Sequence, residues 1–145
     1  MKAGLLLFAL AAFASGVGAH GTNATAADGG FLTTHVLDTY SGSPAAGVQI
    51  DFFAKDGESY KFVKSMTTNA DGRTDAPIMP KEGFATGSYQ LVFHVGEYYA
   101  KLGIKTAEPP FLDRVPVQFS VSDGKAHYQV PLLTSPWSYT TYRGS

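Results

Sequence analysis

Apolar side chains recur at every second position through most of this chain. Leu32, Thr34 and Val36 alternate with Thr33, His35 and Leu37, and the same period returns in Val48, Ile50 and Phe52. Tyr60 to Thr68 follows, and Tyr89, Leu91, Phe93 and Val95 form the cleanest alternation. Val115, Val117, Phe119 and Val121 repeat it, then Tyr128, Val130 and Leu132. Residues Tyr139 to Arg143 are rich in Thr and Tyr, both strand formers. Successive side chains of a strand point to opposite faces, so this pattern predicts half-buried strands. Turn residues separate the runs at Ser41-Gly42-Ser43-Pro44, Asp56-Gly57, Asp71-Gly72, Thr86-Gly87-Ser88 and Ser122-Asp123-Gly124. Only Pro80 to Ala85 and Glu97 to Gly103 leave room for a helical turn or two. Short strands at this spacing predict an all-β sandwich.

The front of the chain has a different pattern. Lys2 supplies a positive start, Leu5 to Phe13 an apolar stretch, and Val17-Gly18-Ala19 a small-residue cleavage site. A second cleavage site follows Ala24-Thr25-Ala26. The run is short and Ala/Gly-rich for a membrane span, which needs about 20 strongly apolar residues. The expected organisation is a signal peptide over 1–19, a flexible N-terminal segment over 20–30 and one folded domain over 31–145. An exported protein, periplasmic or secreted and without a stable membrane anchor, follows from that leader.

Composition narrows the picture further. The formal net charge is −1, which gives no electrostatic footprint for nucleic acid. Cysteine is absent, so stability has to come from packing, and from association if the chain oligomerises. Near the end, an aromatic, alternating segment runs into Tyr142-Arg143-Gly144-Ser145, which predicts closing residues held by the fold.

Candidate chemistry follows from the faces of the predicted strands. His35 projects away from the side carrying Leu32, Thr34 and Val36; His127 and Gln129 project away from Tyr128, Val130 and Leu132. Arg73 follows the Asp71-Gly72 turn. A planar, amide-rich or anionic substrate suits arginine donors, and ring opening by water suits an imidazole that moves protons. Taken singly, a residue of this kind is more often a solvated or structural polar group; their combination carries the weight. His20, His35, His94 and His127 lack close metal-ligand spacing, no serine lies in an elbow motif, and no Gly-rich phosphate loop is present. No cofactor or metal is expected.

Four stretches carry a resemblance. Leu32-Thr33-Thr34-His35-Val36-Leu37-Asp38, Asn69-Ala70-Asp71-Gly72-Arg73, Gly87-Ser88-Tyr89-Gln90-Leu91-Val92-Phe93 with Tyr98-Tyr99, and His127 through Ser145 resemble the ordered motifs of the transthyretin-like proteins that hydrolyse 5-hydroxyisourate. The resemblance implies a transthyretin-like β-sandwich of two antiparallel sheets with one short helix. It further implies a homotetramer with active sites at a subunit interface, and cofactor-free ring opening of a small-molecule substrate in urate degradation. His35 would be a catalytic imidazole and Arg73 a substrate-binding guanidinium. Tyr142, Arg143, Gly144 and Ser145 would help close the pocket.

One residue departs from the family. Its closing block usually reads His-Tyr-His-Val-Pro-Leu-Leu, with the second histidine in the site; here Gln129 stands there, in His127-Tyr128-Gln129-Val130-Pro131-Leu132-Leu133. Glutamine donates and accepts hydrogen bonds but exchanges no proton near neutral pH. Losing a positioned acid–base group typically costs ~10²–10⁴ in rate. A two-residue step along a strand is about 6.6 Å, too far for His127 to take over without rearrangement. Three outcomes stay open: His35 suffices while Gln129 positions water or substrate, His127 reaches in, or the site binds without turnover. The rival expectation is a non-catalytic transthyretin-like channel protein that binds a small planar ligand; an extracellular sandwich contacting another protein is a third.

Overall fold

A computed structural model describes residues 29–144 of the chain. The proposed leader and most of the flexible segment, together with Ser145, lie outside the described residues. The strands are β1 (Phe31–Thr33), β2 (Val36–Asp38), β3 (Ser43–Pro44), β4 (Gln49–Asp56), β5 (Ser59–Thr67) and β6 (Gly87–His94). A short helix α1 (Val95–Lys101) precedes β7 (Arg114–Val121), β8 (His127–Gln129), β9 (Leu132–Thr134) and β10 (Tyr139–Thr141). One antiparallel sheet has the order β5-β4-β6-β7. Facing it are a sheet of order β10-β9-β2-β3 and the pair β1-β8.

Between them lies a core that includes Leu32, Val36, Ile50, Phe52, Leu91, Phe93, Val115 and Leu132, all buried. The alternation had placed each of these residues inward. Burying such a side chain contributes roughly 1.5–3 kcal/mol, so this core supplies the main driving force.

The structure is mostly antiparallel, as expected, but β1 and β2 run parallel to β8 and β9. A period of two records which face a side chain occupies and not which way its neighbour runs, so the alternation carried no signal for this. The parallel ladder is continuous through its irregular middle: Val130 N–H donates to the Thr33 carbonyl at 3.0 Å and Leu132 N–H to the His35 carbonyl at 2.9 Å. Pro131, which has no N–H, sits at the break between β8 and β9.

Helix α1 starts at Val95, two residues earlier than the sequence pattern indicated, and buries Val95, Tyr98 and Tyr99. That spacing of three and four residues lays one face on the core. Residues Pro80 to Ala85 form a turn without a helix. Tyr99 anchors α1: its hydroxyl lies 2.7 Å from Asp38 Oδ1 and 2.9 Å from the Thr134 carbonyl. No helix among the described residues is long and apolar enough to cross a membrane.

Candidate active site

His35 sits in the link between β1 and β2, half-buried, while Thr34 and Val36 on either side are buried. The core therefore dictates which way the imidazole projects. Beside it lies the Asp71-Gly72-Arg73 turn. Val36 N–H donates to the Gly72 carbonyl at 2.8 Å, tying the turn to β2. Gly72 has φ +71, and a Cβ there would lie 2.4 Å from the Val36 carbonyl oxygen. Only glycine satisfies both the left-handed conformation and that approach.

Asn69 holds the turn from within. Its Oδ1 accepts from Asp71 N–H at 3.0 Å and from Arg73 N–H at 3.2 Å, and its own N–H donates to the Arg73 carbonyl at 2.7 Å. Arg73 is thereby placed near enough to His35 for its charge to act on the imidazole. Burial, and next the Arg73 charge, lower the His35 pKa from its ordinary 6.5, while the backbone and carboxylate of Asp71 pull it up. The net direction favours a neutral imidazole, the form that accepts a proton near neutral pH.

The parallel register brings Gln129 to this face. Thr33 is the cross-strand partner of Gln129, and Phe31 that of His127. Gln129 and His127 are both half-buried, whereas Tyr128 and Val130 point into the core. His127 is restrained: its Nε2 lies 2.8 Å from Thr33 Oγ1, and its ring stacks on Phe31 with centroids 4.0 Å apart. Burial lowers its pKa. These two contacts hold the imidazole toward Thr33 and Phe31.

The closing residues divide between two sides. Gly144 N–H donates to the Gln129 carbonyl at 2.8 Å, which sets it against the polar face. Arg143 lies on the other side of β8, its Cζ 4.4 Å from the centre of the Tyr128 ring. Tyr142 and Arg143 line a cavity of about 210 Å³ with Val117, Phe119, Tyr128 and Val130. Within one chain the fold thus assembles His35, Arg73, Gln129 and Gly144 along one face, with Thr33 and His127 beside them, and leaves Tyr142 and Arg143 outside that group. Ser145 lies outside the described residues. Thr33 and Asn69 had not been singled out. Thr33 shares the face of His35 in the alternation, so its signal was present, whereas the role of Asn69 emerges only from the closed turn. Among the described residues, no group of three or more His, Asp or Glu side chains is arranged to hold a metal.

Residues 32–144 match the model of the HIUase/Transthyretin family. The chain belongs to this family. A 5-hydroxyisourate hydrolase 2 of Rhizobium meliloti (strain 1021) is 51% identical over 116 residues, which cover 80% of this chain and 97% of the relative. Among solved structures, an (S)-allantoin synthase matches with TM-score 0.75 and 43% identity over 81% of this chain; the match spans 44% of that longer protein. Sea bream transthyretin in complex with thyroxine matches with TM-score 0.70 and 29% identity, over 78% of this chain and 93% of that one. The proteins this chain is similar to thus include both a 5-hydroxyisourate hydrolase and a transthyretin solved in complex with thyroxine.

Proposed function

We infer that the protein is a hydrolase that opens the ring of 5-hydroxyisourate with water. The observation that carries this reading is a half-buried His35, held toward its neutral form beside Arg73, in a chain 51% identical to a protein of that activity. His35 accepts a proton as water adds to a ring carbonyl carbon. Arg73 stabilises the negative charge that develops on the carbonyl oxygen. The new C–O bond replaces the ring C–N bond, and the proton held by His35 passes to the departing nitrogen. Gln129 orients substrate or water by hydrogen bonding.

The oligomeric state belongs to the same proposal: a homotetramer whose subunits complete the sites. Two strands offer support, because among the described residues β7 pairs only with β6 and β10 only with β9. Both unpaired edges border the cavity around Tyr128, and Tyr40, Trp137, Tyr139 and Tyr142 expose large aromatic surfaces. Partner chains would cover them. Export to the periplasm or beyond rests on the leader pattern alone.

Gln129 favours one rival reading, a binding protein on a retired active site, since an amide holds a planar ligand but moves no proton. The deciding measurement is the ultraviolet decay of fresh 5-hydroxyisourate with the mature protein, against spontaneous decay and His35→Ala. Acceleration that disappears in His35→Ala is expected. Decay no faster than buffer, with retained binding of uric acid, would replace the hydrolase by the carrier.

A further inference from the structure

Gly144 touches Gln129 more closely than any other residue could at that position. A Cβ on Gly144 would lie 2.6 Å from Gln129 Oε1, 3.1 Å from its Cβ and 3.3 Å from its Cδ. The backbone of Gly144 is outside the left-handed region, so the demand here is for space and not for an unusual torsion. The Gly144 N–H to Gln129 carbonyl hydrogen bond, 2.8 Å long, sets the spacing between the closing segment and β8. With that spacing set, the Gln129 side chain lies flat along the tail, in the volume that any side chain at residue 144 would claim.

Thr33 lies across from Gln129 in the parallel ladder, and His127 beside it is held by Thr33 and Phe31. The Gln129 side chain is half-buried and packs directly against the backbone of Gly144. Along one edge, a primary amide held in one orientation presents an N–H donor and a carbonyl acceptor in a common plane. Its complement is the C(=O)–NH edge of a lactam, which offers the same pair in reverse. A freely rotating amide would lose more rotamer freedom on binding the same edge.

We propose that Gly144 is a positioning residue that acts through Gln129. By lacking a side chain it lets the closing segment hold the Gln129 amide in one plane across the polar face, where the amide reads a lactam edge of the substrate. This inference rests on the ring-hydrolase reading and deepens it. Residue 129 then supplies recognition, His35 supplies the acid–base chemistry, and Gly144 meets the substrate only through Gln129.

The test is a double-mutant cycle with Gly144→Ala and Gln129→Leu. It reads kcat and KM for 5-hydroxyisourate and, by isothermal titration, Kd for uric acid as a lactam probe that the reaction does not consume. Gly144→Ala should raise KM and the uric acid Kd about 10-fold, the scale of one lost hydrogen bond. In the Gln129→Leu background the same substitution should change neither. The acid limb of the pH profile should stay in place, because His35 and Arg73 are untouched. Gly144→Ala combined with Gln129→Asn, whose shorter amide withdraws from the new methyl, should recover part of the loss.

Equal effects in both backgrounds, or none in either, would overturn the proposal while wild-type turnover keeps the hydrolase reading. A wild type that binds uric acid with the expected coupling but does not accelerate decay would overturn the hydrolase reading and leave the positioning role supported. A wild type that does neither overturns both.

Discussion

At the scale of single residues, the site depends on how His35 is held. Burial and the Arg73 charge lower its pKa, so its folded value lies below the ordinary 6.5. The base works deprotonated, and kcat/KM should therefore climb through an acid limb below pH 6.5 and level off above it. Arg73→Gln removes the cation; the limb should move to higher pH and kcat/KM should drop about 10²-fold, measured as a pH–rate profile. The sign for stability is the same: the unfolded chain binds this proton more readily, so the His35 contribution becomes unfavourable as pH falls through 6.5. Gln129→His restores a titrating group to the face. A faster rate with a second ionisation in the profile is the expected outcome; an unchanged profile would show that residue 129 takes no part in proton transfer.

Elements position these residues through a few irregular points. The turn carrying Arg73 closes against β2 only because residue 72 is glycine. Gly72→Ala should lose at least about 1–2 kcal/mol from the left-handed conformation alone. The clash with Val36 should also displace Arg73, so activity should fall more than stability, as thermal melts and kcat/KM would show together.

At the opposite end of β2, Asp38 anchors α1. Its carboxylate is buried and accepts from the Tyr99 hydroxyl at 2.7 Å, the Ser41 hydroxyl at 2.7 Å and the Tyr40 N–H at 2.9 Å. Burial raises its pKa, but the hydrogen bonds led by Tyr99 outweigh burial and hold it below 3.8. The same burial, joined by the Asp38 charge, pushes the Tyr98 hydroxyl up to about 12. Tyr99→Phe should cost roughly 1.5–3 kcal/mol near neutral pH, the scale of a hydrogen bond to a charged group. Because the depressed carboxyl contributes stability that is lost as pH falls through its folded value, this difference from wild type should shrink below pH 3.8. Urea unfolding across that range is the measurement.

For the whole molecule, the question is what covers the unpaired side of the sandwich. The edges of β7 and β10 flank a cavity of about 210 Å³ on the far side of β8 from Gln129. Light scattering should find a homotetramer at micromolar protein, and replacing the exposed Trp137 by Asp should shift it toward smaller species with loss of activity. A fully active monomer would show that each chain carries a complete site. Arg143 and Tyr142 matter at this scale: they stand apart from His35 within one chain, and in the proposed assembly a neighbouring subunit would supply its closing residues to the site.

Much of this was legible in the chain itself. A period of two states which face each residue occupies, so the inward Leu32, Val36, Tyr128 and Leu132 and the outward His35, His127 and Gln129 could be read from linear order. Asp71-Gly72 announced a turn, because few residues tolerate its conformation. Other features depend on contacts between distant parts of the chain, to which local pattern is blind. Parallel pairing places Thr33 against Gln129, the docked turn sets Arg73 beside His35, and the tail divides Gly144 from Arg143. The sequence determined the faces through local stereochemistry; the tertiary structure decided which faces meet, because register and strand direction are settled by the packing of the whole domain.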